Sequence, residues 1–347
     1  MGRIAILAGE RSGDALGSQL ASALTMRGHD PPFGVVGRQM RATGVEPIGT
    51  IDALNLVGIR AVLPEIPRLW RLAQDLEGEL VARRPDLVVT IDSPSFHLRL
   101  AARLRRRGLR VLHWVAPQVW AWRRHRIRRV NRSVDGLACL FPFEPGLFGP
   151  GAVFTGHPAS GVRISPRPPA LGIAAGSRAS ERRRLGPVFR AVALELGWPL
   201  VEATPPGMRP VLPGAVQVDS VRELAQHVRF ALTAAGTATL ELAVAGVPMV
   251  VAYQLDAQTF RLARRLVRVP YIALPNLLLG RPVVPEHVQE LAAEDLRADL
   301  ERLSGRAGDR VAAQLLEVRH LLGDRPVERM AGLVERTRTE PGGHPSS

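Results

Sequence analysis

The fold of this chain is first indicated near its start, by the stretch RIAILAGERSGD at residues 3–14. Its first part, Arg3–Ala8, is a short aliphatic run that is typical of a β-strand. A glycine-containing turn, Gly9–Asp14, follows the run, and an amphipathic pattern then occupies Gly17–Arg27. A strand, a glycine turn and a helix in this order predict the first βα unit of a parallel sheet.

The same alternation continues along both halves of the chain. Further strands are predicted at Pro32–Val36, Leu87–Asp92, Arg110–Val115, Gly136–Leu140, Val153–Thr155, Leu171–Ala175, Leu200–Ala203, Ala231–Ala234, Met249–Ala252 and Tyr271–Ala273. Helices between them are predicted at Phe96–Arg107, Ala179–Leu196 and Thr237–Ala245. The best linker is Arg163–Pro169, because its three prolines in four positions cannot join a helix or a central strand.

We therefore predict an α/β fold of two Rossmann-like, doubly wound lobes that face a cleft. The lobes are expected at residues 1–163 and 170–338, and the polar residues 339–347 are expected to form a disordered tail. The composition suits this organisation, since 46% of the 347 residues are hydrophobic and 22% are charged.

Several classes of protein are excluded by what the composition lacks. The chain has no lysine, which excludes the P-loop motif and any Schiff-base lysine. A single cysteine, Cys139, excludes an intrachain disulfide and a zinc site made of cysteines alone. No apolar run reaches the roughly 18–20 residues of a membrane span, and the start does not resemble a signal peptide. We expect a cytoplasmic protein.

The basic charge of the chain is concentrated in one window. The formal net charge is +14, and the twelve arginines between His97 and Arg132 occur there without any acidic residue. Such a patch could bind nucleic acid, anionic lipid or a phosphorylated substrate. The alternative is an ordinary solvated face on which arginine takes the place of lysine.

Candidate catalytic residues follow the predicted strands of the first lobe. The backbone N–H groups of the Gly9–Asp14 turn could meet a ligand, or Ser12 or Asp14 could simply cap the helix. Asp92 ends a strand and precedes Pro94, so its carboxylate could act as a general base in the cleft. Its structural alternative is an Asx turn. Tryptophans and arginines between His113 and Arg123 could pack against bases or sugars, or could close the lobe as a hydrophobic loop.

Two turns of the second lobe have the form of phosphate-binding sites. Gly176, Ser177 and Arg178 lie between a predicted strand and a helix, where free N–H groups and a guanidinium suit a diphosphate. Gly236 and Thr237 form a second such turn, and Glu241, about one turn into the helix, could accept from ribose hydroxyls. Together the two turns predict a nucleotide-diphosphate site.

At this point the sequence resembles the lipid-A-disaccharide synthase family, glycosyltransferases with the B fold. The motifs that carry the resemblance occur in the family's order over roughly residues 5–290. They are Gly9-Glu10-x-Ser12-Gly13-Asp14, Ile91-Asp92-x-Pro94-x-Phe96, Trp120-Ala121-Trp122-Arg123, Pro142-Phe143-Glu144, Gly156-His157-Pro158, Gly176-Ser177-Arg178, Gly236-Thr237-Ala238-Thr239-Leu240-Glu241, Pro248-Met249-Val250-Val251, Leu274-Pro275-Asn276-Leu277-Leu278 and Arg281…Pro285-Glu286…Gln289-Glu290. The chain departs from the family's pattern at Ser95, His97, Trp114, Ala116, Gln118 and Ala235.

The resemblance implies an inverting transfer of 2,3-diacylglucosamine from its UDP derivative to 2,3-diacylglucosamine 1-phosphate. Asp92 would deprotonate the acceptor, and Glu10 would lie near the reacting sugars. Arg178, Glu241 and Asn276 would hold UDP together with Gly176, Ser177, Gly236 and Thr237. The residues expected on the acceptor side are Ser12, Asp14, Trp120, Trp122 and Arg123. The B fold usually needs no metal, so no cofactor or metal is expected.

The resemblance also implies partners. The acylated acceptor implies contact with an anionic membrane at the inner face of the cytoplasmic membrane, where the enzyme would be peripheral. The apolar residues expected to face the membrane are Leu63, Ile66, Leu69, Trp70 and Leu72. The alternative for this segment is an ordinary core helix. A homodimer is left open. The alternative functions are a related transferase for another lipid-linked acceptor and a non-transferring epimerase on the same fold. From a different class, the alternative is an arginine-rich nucleic-acid-binding protein, although the sequence contains neither zinc-finger spacing nor an RNP motif.

Overall fold

The computed structural model describes residues 3–54, 62–119, 124–162, 168–267 and 269–339. For 62–66, 262, 265 and 266 only the backbone is described. Most of the predicted strands are present with bounds that differ by a residue or two. All pairings between strands are parallel, and they form two separate sheets.

The first sheet has seven strands in the spatial order β3-β2-β1-β4-β5-β6-β7. Their bounds are β1 Ile4–Ala8, β2 Phe33–Val36, β3 Glu46–Thr50, β4 Leu87–Ile91, β5 Val111–Trp114, β6 Gly136–Cys139 and β7 Ala152–Phe154. The helices that join them are α1 Arg11–Met26, α2 Arg38–Ala42, α3 Val62–Arg83, α4 Pro94–Arg106, α5 Ile127–Ser133 and α6 Glu144–Phe148. Every residue of the central strands β1 and β4 is buried, as expected for a parallel sheet covered on both faces.

The second sheet has six strands in the order β10-β9-β8-β11-β12-β13. Their bounds are β8 Leu171–Ala174, β9 Leu200–Ala203, β10 Val216–Val218, β11 Phe230–Ala234, β12 Met249–Tyr253 and β13 Glu286–Val288. The accompanying helices are α7 Ala179–Leu196, α8 Val221–His227, α9 Thr237–Val244, α10 Ala257–Leu266, α11 Leu274–Leu279, α12 Ala293–Ser304 and α13 Arg306–Leu321. A core of buried aliphatic residues, among them Leu171, Phe189, Leu232 and Leu300, packs α7 and α12 on this sheet.

One predicted strand is wrong. Tyr271–Ala273 forms no ladder, because the backbone N–H groups of Ile272 and Ala273 are satisfied by the Glu286 carboxylate at 2.8 and 3.0 Å. The strand that forms the edge beside β12 is β13, which begins at Glu286 itself.

The described residues form two compact units whose limits differ from the predicted lobes. The first unit extends to Pro158 and resumes at Arg325, and the second is Ala159–Asp324. The last helix, α14 Pro326–Thr339, therefore belongs to the first unit, whereas we predicted it within 170–338.

The contacts of α14 explain this difference. Arg27 Nη1 donates to the Glu335 carboxylate at 2.9 Å, and Arg110 Nη1 donates to the Thr337 carbonyl at 2.7 Å. Of the predicted tail at 339–347, only Thr339 is described, and it ends this helix. The predicted linker 163–169 lies mostly outside the described residues.

The described part of the chain contains no helix that is both long enough and apolar enough to cross a bilayer.

Candidate active site

The predicted acidic residues of the first unit follow neighbouring strands. Ala8 of β1 pairs with Ile91 of β4, and the Gly9 N–H donates to the Ile91 carbonyl at 3.2 Å. The next residues along the two strands are Glu10 and Asp92. Because the carboxyl ends of parallel strands meet at one edge of the sheet, both acidic residues lie at that edge.

The Asp92 carboxylate is half-buried and held in place by two donors. Ser12 Oγ donates to Asp92 Oδ2 at 3.1 Å, and the Ser93 backbone N–H donates to Asp92 Oδ1 at 2.8 Å. Both carboxylate oxygens therefore accept a hydrogen bond, which restricts the orientation of the group. Ser12 therefore has a defined role beside Asp92.

The backbone at Asp92 is strained. Asp92 and Ser93 have φ values of 57° and 47°, in the left-handed region, and Val115 on the adjacent strand edge has a φ of 78°. Each such residue costs on the order of 1–3 kcal/mol, so the surrounding structure must impose the conformation. Strain concentrated beside one accessible carboxylate is typical of a functional site.

Gly9 allows the two strand ends to come this close. A Cβ atom at Gly9 would lie 2.2 Å from Ser93 Cβ and 3.0 Å from His97 Cε1. A side chain here would therefore displace the turn that carries Asp92.

Two buried histidines lie behind Asp92, and sequence reasoning assigned neither of them a role. His97 Nδ1 lies 2.7 Å from the Asp92 carbonyl oxygen, and His113 Nδ1 lies 2.8 Å from Thr90 Oγ1. Burial lowers the pKa of His97 to about 4 and that of His113 to about 3, so both rings are neutral at pH 7. Among the residues that the structure describes, none gives the buried Nε2 of either ring a hydrogen-bond partner.

The structure corrects the prediction for Asp14. Its side chain is only 3% exposed and accepts three backbone N–H groups: Gly37 at 2.8 Å, Gln39 at 2.8 Å and Met40 at 3.1 Å. These donors lie at the start of α2, where a helix has N–H groups without partners inside the helix. Asp14 therefore caps α2 and does not present its carboxylate to an acceptor.

The two glycine turns of the second unit lie side by side. Ala174 of β8 pairs with Thr233 of β11, so the turns that follow these strands share one edge of the sheet. Gly176 and Gly236 have φ values of 100° and 145°, which glycine adopts most readily. Each turn leads directly into a helix, α7 or α9.

The side chains that the first turn offers to a ligand are exposed. The Arg178 side chain is 78% exposed and pairs with Glu181 at 2.9 Å.

Tyr253, at the end of β12, was not predicted as a site residue. Its pKa is raised first by burial and then by Glu181, and the nearby Arg178 opposes this shift. Tyr253 therefore lies near the turn formed by Gly176, Ser177 and Arg178.

Glu241 lies in α9, one turn beyond Gly236, and its side chain is half-buried. Burial raises the pKa of Glu241, and Arg222, with Nε 3.9 Å from Oε1, partly opposes the shift. A desolvated carboxylate at this position can accept from hydroxyl groups of a ligand bound at the turn.

The predicted contact of Asn276 with UDP also needs correction. The side chain is fully buried and makes four hydrogen bonds inside the protein. Nδ2 donates to the Val284 carbonyl and to Glu286 Oε1, both at 2.8 Å, while Oδ1 accepts from the N–H groups of Val283 and Val284 at 2.8 and 2.9 Å. Asn276 therefore holds the segment before β13 and has no free polar group for a ligand.

Part of the predicted acceptor and membrane surface lies outside the described residues. This applies to Trp120, Trp122 and Arg123, and to the side chains of Leu63 and Ile66. On the described part of α3, Trp70 is 57% exposed, and the side chains of Leu69 and Leu72 are half-buried.

The arginine-rich window divides into paired and exposed residues. Arg103 of α4 and Arg107, which directly follows α4, both bond to the carboxylate of Glu77 on α3. These bonds, that of Arg107 first, lower the pKa of Glu77. Arg105 pairs with Asp135 at 2.8 Å. The exposed arginines of α4, of α5 and of the short 3₁₀ turn before α5 are Arg99, Arg106, Arg124, Arg126, Arg128, Arg129 and Arg132.

Among the described residues, no group of three or more histidine, cysteine, aspartate or glutamate side chains is arranged to hold a metal ion.

Comparison with known families and sequences gives one consistent match. A family model for lipid-A-disaccharide synthetase matches residues 4–197 and 215–323. A lipid-A-disaccharide synthase of Gluconobacter oxydans is 39% identical over 326 residues, covering 82% of this chain and 77% of its own. One from Koribacter versatilis is 35% identical over 374 residues, covering 96% and 97% of the two chains.

Solved structures share the fold at much lower identity. The glycotransferase of kitacinnamycin superposes with a TM-score of 0.67 at 18% identity, covering 97% of this chain and 99% of that one. A UDP-GlcNAc 2-epimerase from Neisseria meningitidis, bound to UDP-GlcNAc, gives a TM-score of 0.62 at 10% identity, with 96% and 99% covered. The predicted fold class, the B fold of glycosyltransferases, is confirmed.

Proposed function

The chain belongs to the lipid-A-disaccharide synthase family of glycosyltransferases, and from this premise we propose the substrates and the roles of its residues. The donor is UDP-2,3-diacylglucosamine, and the acceptor is 2,3-diacylglucosamine 1-phosphate. The acceptor hydroxyl attacks the anomeric carbon from the face opposite UDP and inverts its configuration. The new glycosidic bond forms as the bond between the anomeric carbon and the UDP oxygen breaks, and UDP leaves.

The observation that carries this proposal is the pair of glycine turns at the carboxyl ends of β8 and β11. The helices that follow these two adjacent strands, α7 and α9, present backbone N–H groups and the positive ends of their dipoles to a diphosphate. The exposed Arg178 guanidinium adds a charge-assisted donor. We assign the diphosphate to Gly176, Ser177, Gly236 and Thr237 with Arg178, and the ribose hydroxyls to Glu241. The leaving UDP gains negative charge in the transition state, where these donors stabilise it most.

Asp92 is the proposed general base. A sugar hydroxyl is a weak nucleophile until its proton leaves, and a fixed carboxylate can accept that proton as the new bond forms. Ser12 and the Ser93 N–H, by bonding to the two carboxylate oxygens, orient the group for this transfer. Glu10, at the same sheet edge, is assigned to the reacting sugars.

We also propose that no metal ion takes part. The charge of the diphosphate is met by Arg178 and by the helix N-termini. Turnover is accordingly expected to be unchanged when a chelator is added to the assay.

For the acyl chains of both substrates, we propose peripheral binding to an anionic membrane. The support is local: Trp70 is exposed on α3, and the flanking Arg68 and Arg71 are exposed beside it. An exposed tryptophan beside arginines suits the interface between lipid headgroups and acyl chains. The exposed arginines of α4 and α5 would add attraction to anionic lipid, which high salt weakens.

Mass spectrometry tests the reaction directly. The intact protein is incubated with UDP-2,3-diacylglucosamine and 2,3-diacylglucosamine 1-phosphate, and both products are quantified. We expect UDP and the acylated disaccharide 1-phosphate in equal amounts. Release of UDP without disaccharide, or transfer only to a different acceptor, would contradict the proposed substrates.

A further inference from the structure

His97 makes a contact that fixes its own protonation. Its side chain is 0% exposed, and Nδ1 lies 2.7 Å from the backbone carbonyl oxygen of Asp92. A carbonyl can only accept a hydrogen bond, so Nδ1 carries the proton and donates it. The ring is neutral, and Nε2 is therefore the unprotonated nitrogen.

The carbonyl that His97 holds belongs to a strained peptide of the site. It joins Asp92 and Ser93, both in the left-handed region. Two other groups of this turn have backbone partners: the Asp92 N–H donates to the Trp114 carbonyl at 3.0 Å, and the Ser93 carbonyl accepts the His97 N–H at 3.0 Å. Among the described residues, the His97 ring is the one donor that reaches the Asp92 carbonyl. If this donor is lost, the peptide is free to rotate and carry the attached carboxylate with it.

We propose that His97 is a positioning residue for glycosyl transfer, whose Nδ1–H holds the Asp92 carbonyl and thereby the left-handed turn that aims the Asp92 carboxylate. The inference rests on the proposed role of Asp92 as the base. His97 touches neither substrate in this scheme and acts only through Asp92.

The unused nitrogen of the ring supports a role beyond filling space. Nε2 is buried and has no partner within the described part of the chain, and burying an unpaired polar atom is unfavourable. An aliphatic or phenyl side chain would fill the position without that cost, but would supply no donor to the carbonyl. The Nδ1–H therefore explains why a histidine, and not an apolar side chain, occupies position 97.

A nearby histidine provides a matched control. His113 is equally buried, and its ring centroid lies 6.4 Å from that of His97. Its Nδ1 is directed to Thr90 Oγ1, and no described hydrogen bond joins its ring to Asp92. The same substitution at both positions therefore separates the loss of a buried imidazole from the loss of the donor to Asp92.

The test compares four variants of the full chain: His97→Asn, His97→Gln, His97→Phe and His113→Gln. An asparagine amide can place an N–H near the former Nδ1, whereas glutamine is one carbon too long and phenylalanine has no donor. We expect His97→Gln and His97→Phe to lower kcat by up to about 10²-fold, the effect of a misplaced catalytic group, with UDP affinity within about twofold of the parent. His97→Asn and His113→Gln should keep kcat within about threefold. Near-normal kcat in both His97→Gln and His97→Phe, or an equal loss in His113→Gln, would overturn the proposal.

A double mutant distinguishes this proposal from the proposal for Asp92. If His97 acts through Asp92, His97→Gln should slow Asp92→Asn no further, because the group being positioned is already absent. Losses that multiply would show that His97 acts elsewhere, whatever the result for Asp92→Asn alone. For the parent protein, ¹⁵N NMR of the imidazole should show a protonated Nδ1 and a bare Nε2 at pH 7. The opposite tautomer would refute the contact even if no variant folds.

Discussion

Replacing Asp14 by asparagine is expected to destabilise the first unit by about 2–4 kcal/mol without changing how substrates bind. Asp14 Oδ1 accepts from Gly37 and Met40, and Oδ2 accepts from Gln39. Asparagine keeps one oxygen but presents an N–H group where Oδ2 was. One charge-assisted bond, worth about 1.5–3 kcal/mol, is then lost, and the Gln39 N–H is left unpaired at a further cost of about 1–3 kcal/mol. Because the two effects overlap, the loss is smaller than their sum of about 2.5–6 kcal/mol, and we expect about 2–4 kcal/mol.

Urea unfolding followed by tryptophan fluorescence measures this loss, since four of the five tryptophans precede residue 158. The melting temperature should fall by roughly 5–15 °C. Asp30→Asn is the control, because Asp30 is exposed and such a change is usually worth less than about 0.5 kcal/mol. Equal stability of the two variants, combined with a raised KM for the acceptor in Asp14→Asn, would refute the capping role and restore Asp14 to the acceptor site.

Three further changes test the donor site and the membrane surface. Arg178→Ala should weaken UDP binding, measured by calorimetry, by about 1.5–3 kcal/mol, or roughly 10- to 150-fold. The control Arg183→Ala, at an exposed position in α7, should leave UDP binding unchanged. Equal UDP affinity in the two variants would contradict the diphosphate assignment. Because burial raises the pKa of Glu241 above 4.5, UDP affinity should decrease as the pH falls through that raised value, and the decrease should vanish in Glu241→Gln. Trp70→Ser should reduce sedimentation of the protein with anionic vesicles, whereas Met26→Ser, at an 83% exposed residue of α1, should not. If the parent protein binds duplex DNA more strongly than it binds these vesicles, the nucleic-acid alternative is favoured.

The parts of the fold that could be predicted are those with a local signal. The central strands β1, β4 and β11 consist wholly of buried residues, and their aliphatic runs are visible in the sequence. The edge strands β3 and β13 have no fully buried residue, so no continuous apolar run marks them. They exist because a neighbouring strand offers free N–H and C=O groups.

The candidate site likewise has features that the local sequence predicts and features that it does not. Glycine turns after strands can be recognised locally, and the structure places Gly9, Gly176 and Gly236 in such turns. What a polar side chain bonds to depends on elements distant in sequence. Asp14 reaches across to α2, and Asn276 reaches forward to the segment before β13, so neither internal role was visible in its motif. His97 gains its partner only because α4 begins directly after the left-handed turn at Asp92.

The most direct test of the proposed mechanism is Asp92→Asn, with turnover, UDP affinity and melting temperature measured on one preparation. Asparagine keeps the size of the side chain and can still accept from the Ser93 N–H, but it cannot take up a proton. The account predicts a loss of about 10²–10⁴-fold in turnover, with UDP affinity and melting temperature close to those of the parent. Turnover within about tenfold of the parent would show that Asp92 is not the base.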